Sequence, residues 1–273
     1  NAYATGQVSG SDDVGGLLRT QQTDSTSNAY ATGLVTGTGH YVGGLVGTQY
    51  GSIYNAYATG PVSGTTRVGG LVGGRAGSIG NAYGTGQVSG SDYVGGLVGY
   101  NWSSSISSSY WNTETAGQAT QGVGSGPQPG VTGKTTEQLK QLATFTGWDI
   151  ADAGGTGTVW RIYEGHTGPL LRSFLKQATV TADASGITDK TYDGTAASGN
   201  VTYTTPVATL DGSLRYTTNS KNAGSYSTAD GSLKFTGLYS DQQGYDISYA
   251  PASATLTIGR AALTVTDMTA TNK

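Results

Sequence analysis

The sequence predicts an all-β chain: a right-handed parallel β-solenoid with coils of about 26 residues, a small cap with one short helix, and then a small β-rich module. Three observations predict it. Asn-Ala-Tyr recurs at Asn1, Asn28, Asn55 and Asn81, and Val-Gly-Gly-Leu at Val14, Val42, Val68 and Val94, so one unit repeats at a near-constant step. Within a unit the side chains alternate with a period of two. The composition is that of a β-rich chain with a neutral surface: 46 Gly and 18 Tyr in 273 residues, no Cys, and only 11% charged residues.

The solenoid is expected over residues 1–126. In Ala2-Tyr3-Ala4-Thr5-Gly6-Gln7-Val8-Ser9, one face carries Ala2, Ala4, Gly6 and Val8 and the other Tyr3, Thr5, Gln7 and Ser9. The Val column (Val8, Val35, Val62, Val88) is invariant and should point inward. Val-Gly-Gly-Leu-Val reads as a second strand, bent at the Gly pair because Val and Leu three apart break the alternation. Thr26, Ile53, Ile79 and Ile106 mark a third strand, giving three strands per coil and coils about 4.8 Å apart. No unit this short and Gly-rich can bury a core alone, so stacking is required. Right-handed winding is the default for parallel crossovers. A propeller blade needs about 40 residues per unit and is rejected on length.

Residues 127–176 are expected to cap the solenoid's open end. Thr135 and Gln138 stand at capping-box spacing, and Leu139, Leu142 and Phe145 form one apolar stripe of a short helix ending near Gly147. Trp148, Trp160, Ile162 and Pro169-Leu170-Leu171 would cover exposed strand edges. From 177 to 262, short alternating strands such as Thr179-Val180-Thr181 and Leu256-Thr257-Ile258 suggest a small antiparallel module. Residues 263–273 resemble that module's own opening. The reading expects the parent protein to continue there with a further copy, opened by an aromatic-Asp-Gly-Thr string.

Composition also excludes functions. Gly lacks the collagen period, and no apolar run approaches a membrane span, so membrane insertion is not expected. Without Cys there is neither a disulfide framework nor a thiolate zinc site. A net charge of −3 with 14 basic residues argues against a nucleic-acid partner.

The Asn-Ala-Tyr-x-Thr-Gly…Val-Gly-Gly-Leu units resemble GLUG repeats, a motif of large bacterial surface proteins. Tyr110-Trp111-Asn112-Thr113-Glu114-Thr115, Phe145-Thr146-Gly147-Trp148, Trp160-Arg161-Ile162 and Pro169-Leu170-Leu171-Arg172 resemble the segment that follows the last such repeat. Lys190-Thr191-Tyr192-Asp193-Gly194-Thr195 resembles the Tyr-Asp-Gly, "mostly-β, Gly-rich" (MBG) modules of similar exoproteins. These resemblances imply a non-enzymatic fragment of a filamentous-haemagglutinin-like adhesin, exported through an outer-membrane transporter by two-partner secretion. The implied partner is a polysaccharide or a host-surface glycan or protein, with no cofactor. GLUG repeats also occur in zinc-type immunoglobulin A1 proteases. This chain has no His-Glu-x-x-His, and its only histidines are His40 and His166, so that activity is not carried over.

Two features are candidates for binding. Aligned on the second strand, one corner column reads Asp12, His40, Thr66, Asp92 and its neighbour Asp13, Tyr41, Arg67, Tyr93. This edge is either an ordinary solvated corner, a glycan- or ion-binding edge, or the groove of a β-solenoid carbohydrate-active enzyme, which needs converging carboxylates. The second feature is the column Tyr3, Tyr30, Tyr57, Tyr83, Tyr110, which strand parity points outward. It either stacks on sugar rings or ladders with itself. The Asn column reads as structural, with amides bonding along a turn. Asp189 and Asp193 flank a turn and are candidates for Ca²⁺, without the ligand spacing of an EF-hand.

Overall fold

The fold is taken from a computed structural model that describes all residues except 76, 103, 104, 208, 209, 251, 252 and 264–273. The chain forms two compact units, residues 1–175 with 241–243, and residues 176–240 with 244–273. The expected further module from residue 264 onward lies outside the described residues.

The first unit is a parallel β-solenoid of four coils, with a looser fifth turn. Each coil contributes four strands, one more than the repeat suggested. In the second coil they are Thr26–Ala31, Val35–Gly37, His40–Gly43 and Val46–Gln49. We name the four sheets they build the tyrosine, valine, corner and ladder sheets. Like residues stack: Tyr30 pairs with Tyr57, Val35 with Val62, Val42 with Val68, and Val46 with Val72, all in parallel register.

Two expected strands divide, Ala2–Ser9 near Gly6 and Val-Gly-Gly-Leu-Val at the Gly pair, while the strand expected at Ile53 runs on through Asn-Ala-Tyr as Ile53–Ala58. A Cβ on Gly43 would lie 2.1 Å from the Val46 carbonyl oxygen, and one on Gly44 2.2 Å from that of Gly70 in the next coil. Only glycine lets the backbone fold this tightly and still stack. The turn points both Val42 and Leu45 into the core, which accounts for two inward residues three apart. The Leu45 and Leu71 amides keep the coils bonded through this turn, to the Leu71 and Leu97 carbonyls.

Inside the coils runs a column of Val, Leu, Ile and Ala side chains, with Val35, Val42, Leu45, Val46 and Ile53 at 0% exposure. It closes on Trp111. The register Ala58, Gly84, Trp111 places the indole where preceding coils carry Ala or Gly, and it fills the space above Gly96. Val131–Lys134 adds a further strand to the tyrosine sheet, so solenoid pairing continues past residue 126.

Residues 135–175 correct two expectations. They do not plug the core; Leu139, Phe145, Trp148, Trp160, Ile162 and Leu171 pack instead on the outer face of the tyrosine sheet. The expected helix is replaced by two 3-10 turns, Gln138–Lys140 and Leu142–Thr144. The capping box forms, with the Gln138 amide donating to Thr135 Oγ1 (3.2 Å) and the Thr135 amide to Gln138 Oε1 (3.0 Å). The Leu142 amide, which would continue a helix, donates instead to Glu164 Oε2 at 2.7 Å.

Among its described residues the second unit has three three-stranded sheets and is not wholly antiparallel. Lys176–Ala182 runs parallel to Tyr245–Tyr249, and Lys190–Thr191 parallel to Thr255–Gly259. Asp211–Thr218 lies antiparallel between Ser198–Asn200 and Leu233–Tyr239. Val180, Leu214, Ile247, Leu256 and Ile258 are buried in this unit.

Candidate functional site

The second, third and fourth coils each contain two residues in left-handed backbone conformation that are not glycine. One is the Asn column: Asn28, Asn55 and Asn81 have φ near +50° (50°, 52° and 51°). Asn tolerates this conformation better than most residues, which explains the repeat's most constant polar residue. The amides also interact along the column, Asn81 Nδ2 donating to Asn55 Oδ1 at 3.4 Å. The other left-handed column is Asp13, Tyr41, Arg67 and Tyr93, with φ of 53°, 60°, 57° and 54°. Tyr and Arg are poorly suited to this region, at a cost of roughly 1–2 kcal/mol each. The kink turns these side chains out over the ladder sheet.

There they meet residues that the repeat pattern did not single out. The Arg67 Cζ lies 4.9 Å from the Tyr41 ring centroid, 5.6 Å from that of Tyr93 and 5.5 Å from that of Tyr100. Trp102 adjoins Tyr41 at 5.8 Å and Tyr100 at 5.2 Å between ring centroids. Gly74 makes the room, since a Cβ there would fall 2.5 Å from the Tyr41 ring and 2.9 Å from Trp102. Tyr93 remains 44% exposed and Trp102 40%. The Arg67 Nε is enclosed without a hydrogen-bond partner. The signal for Tyr100 and Trp102 was available only as a departure from the repeat: Tyr100 stands where other coils carry Thr20, Thr48 and Gly74.

The other corner candidates do different things. Asp12 Oδ1 accepts from the His40 amide at 2.6 Å, and His40 Nδ1 bonds Thr66 Oγ1, tying three coils together at the corner. Asp13 accepts from Thr48 Oγ1 and lies 3.8 Å from Arg19. Asp92 is exposed at the top of its column. Three coil steps of about 4.8 Å separate Asp12 from Asp92, on the order of 14 Å. That is too far for a pair of carboxylates flanking one glycosidic bond, which need roughly 5–9.5 Å.

The tyrosine ladder forms but does not face solvent. Tyr30, Tyr57, Tyr83 and Tyr110 are 1%, 2%, 4% and 7% exposed beneath residues 139–174, and only Tyr3 is open, at 49%. Parity was right that they point away from the Ala/Val core; a second core covers them. Neighbouring rings stack at 5.1, 5.1 and 4.9 Å, nearly parallel, from Tyr3 to Tyr83. The Tyr57 hydroxyl donates to Gln242 (2.8 Å), that of Tyr83 to the Pro169 carbonyl (2.6 Å), and that of Tyr110 to the Thr144 carbonyl (2.9 Å). Burial pushes the Tyr57 and Tyr83 hydroxyls well above the ordinary tyrosine range, so they stay protonated donors.

In the second unit, both proposed Ca²⁺ carboxylates are engaged by protein. Asp189 Oδ1 accepts from the Thr257 amide, and Asp193 pairs with Lys190 at 2.8 Å and accepts from the Thr195 amide and hydroxyl.

Among known proteins, the family described as the GLUG motif matches residues 38–63. That segment is one turn of the solenoid, containing His40–Gly43, Val46–Gln49, Ile53–Ala58 and Val62–Ser63. No curated protein and no solved structure matches the chain.

Proposed function

We propose that this chain is a non-enzymatic portion of a secreted bacterial surface adhesin, in which the solenoid holds the Tyr41/Arg67/Tyr93/Tyr100/Trp102 face toward a surface glycan. The observation that carries this reading is the exposure of Tyr93 and Trp102 beside a guanidinium, on a backbone fixed by coil-to-coil hydrogen bonds. Exposed aromatic rings on a rigid scaffold suit sugar rings, which present apolar C–H faces. GLUG motifs occur in extracellular adhesin-like repeat proteins, which fits this assignment. Among the described residues no helix is long and apolar enough to cross a membrane. Export by two-partner secretion and attachment to host tissue or biofilm matrix belong to the same proposal.

The purified fragment is expected to bind immobilised matrix polysaccharide or cell-surface glycan. Trp102→Ala with Tyr93→Ala should abolish this binding while leaving the melting temperature unchanged. Asp12→Ala should leave binding intact and change stability by no more than about 1 kcal/mol, the loss of one exposed hydrogen bond. Unaltered binding in the aromatic double variant would move the binding site to other residues of the chain, and absence of binding by the parent chain would leave the solenoid as a stalk. Glycan cleavage would reverse the non-enzymatic assignment.

A further inference from the structure

Arg67 is unusual for what it does not do. A guanidinium carries five N–H donors in a fixed fork, and arginines at protein surfaces ordinarily spend them on carboxylates, carbonyls or water. The other arginines of the solenoid do so: Arg19 lies by Asp13, and Arg75 donates to the Gly77 and Ser105 carbonyls. The Arg67 side chain makes no hydrogen bond and no ion pair among the described residues, although it is half-buried and its Nε is fully enclosed. Its surroundings are the faces and edges of Tyr41, Tyr93 and Tyr100. Those rings fix its position through cation–π attraction and leave the hydrogen-bonding edge unused. The acids on this edge do not pair with it: Asp13 is engaged by Thr48 and Arg19, and Asp92, opposite Thr66 in the adjacent coil, forms no ion pair with Arg67 among the described residues.

A positioned fork with unspent donors is a receptor for a planar anion, and a carboxylate matches it in two parallel hydrogen bonds. The rings around it, with Tyr93 and Trp102 open to solvent, match the C–H faces of a sugar. Both features lie within one patch, since Tyr93 and Tyr100 touch Arg67 and Trp102 touches Tyr100. We infer that this face binds an acidic saccharide, with Arg67 taking the carboxylate of a uronic-acid-type residue and the Tyr93 and Trp102 rings packing on that sugar or its neighbour. This rests on the glycan-binding reading above and narrows it from glycans in general to carboxylated ones.

The test compares polygalacturonate with the same polymer after carboxyl reduction, which removes the charge and keeps the backbone. Titration calorimetry of the intact 273-residue chain should show the acidic polymer bound at least about tenfold more tightly, with the gap closing as salt rises. Arg67→Met should erase the preference and retain weak binding of both polymers. Arg67→Lys, which keeps the charge but loses the fork, should fall between, and Asp92→Asn should tighten acidic binding by removing a nearby like charge. Thermal melts identify any variant that loses binding by unfolding, and Arg67→Lys preserves the aliphatic stem should Arg67→Met unfold. Equal binding of both polymers, unmoved by Arg67→Met, would overturn the carboxylate assignment and leave the glycan reading standing. Equally tight binding of polyacrylate, which has no sugar, would overturn it as simple charge attraction. Binding of neither polymer, with neutral and sulfated glycans also failing, would overturn both readings.

Discussion

Gln21, Gln49, Arg75 and Asn101 stand at one register position on successive coils, and all four are buried. They share one piece of chemistry, a terminal N–H aimed at the chain that crosses from the ladder sheet to the tyrosine sheet. Gln49 donates to the Gly51 and Ser78 carbonyls, Arg75 to those of Gly77 and Ser105, and Asn101 to that of Pro127. The column gives donors to the Gly51, Gly77 and Pro127 carbonyls at the turn, and adds a second donor to the Ser78 and Ser105 carbonyls, which already accept from the Ile53 and Ile79 amides. Arg75 carries a charge where its neighbours carry none, and burial holds its guanidinium down at about 10. Arg75→Gln, which keeps a donor and removes the buried charge, is therefore expected to melt at or above the parent temperature. Arg75→Leu should lose about 1–3 kcal/mol, since it takes the side-chain donor from the buried turn at the Gly77 carbonyl. Denaturant titration of both variants decides it; equal loss in the two would mean that the charge itself supports the turn.

At the scale of an element, the turn spanning Lys190 to Thr195 shows why Tyr-Asp-Gly-Thr behaves as a unit. Gly194 takes φ of 84°, which a side chain would disfavour, and Asp193 binds the Thr195 amide and hydroxyl across it. The Lys190 ammonium, together with the Thr195 donors, holds the Asp193 carboxyl at about 2. A carboxyl depressed in the folded state stabilises the fold above its unfolded pKa, near 3.9, and that contribution disappears as pH falls through about 2. The turn should therefore keep its order at pH 5 and loosen between pH 4 and 2. Lys190→Met should raise the Asp193 pKa more than Thr195→Val does, as read from carboxyl carbon shifts. A larger effect from Thr195→Val would give the leading role to the hydroxyl.

For the first unit as a whole, the tyrosine sheet is a wall shared by two cores. Its Ala residues face the solenoid interior and its Tyr residues face the aromatic cluster of Phe145, Trp148 and Trp160. A chain ending at Lys134 would lay Tyr30, Tyr57, Tyr83 and Tyr110 open as one contiguous patch, and such patches drive association. Truncation there is expected to yield soluble aggregates or strong binding of a hydrophobic dye, with parallel β signature retained. A monomeric, dye-silent product would show that the outer core contributes little.

The repeat spacing by itself determined the solenoid, because a chain whose unit cannot bury its own core must stack like residues on like. The inward Val column, the ring ladder and the bend at the Gly pair all follow from that single constraint. Alternation could say which side of the strand each Tyr takes. It could not say what lies on that side, because the cover is supplied by residues remote in sequence, such as Trp160 and Gln242 over Tyr57 and Phe174 over Tyr30. The same limit applied at the corner. Asp12, Asp13, His40, Tyr41, Arg67, Asp92 and Tyr93 were legible as a polar edge, whereas the split between backbone ties and an aromatic face was not. That split depends on a left-handed kink that Tyr and Arg do not advertise, and on Gly74 leaving space for rings from neighbouring coils. Sequence periodicity specifies neighbours along the stack; lateral packing, where unlike residues meet, is decided only in three dimensions.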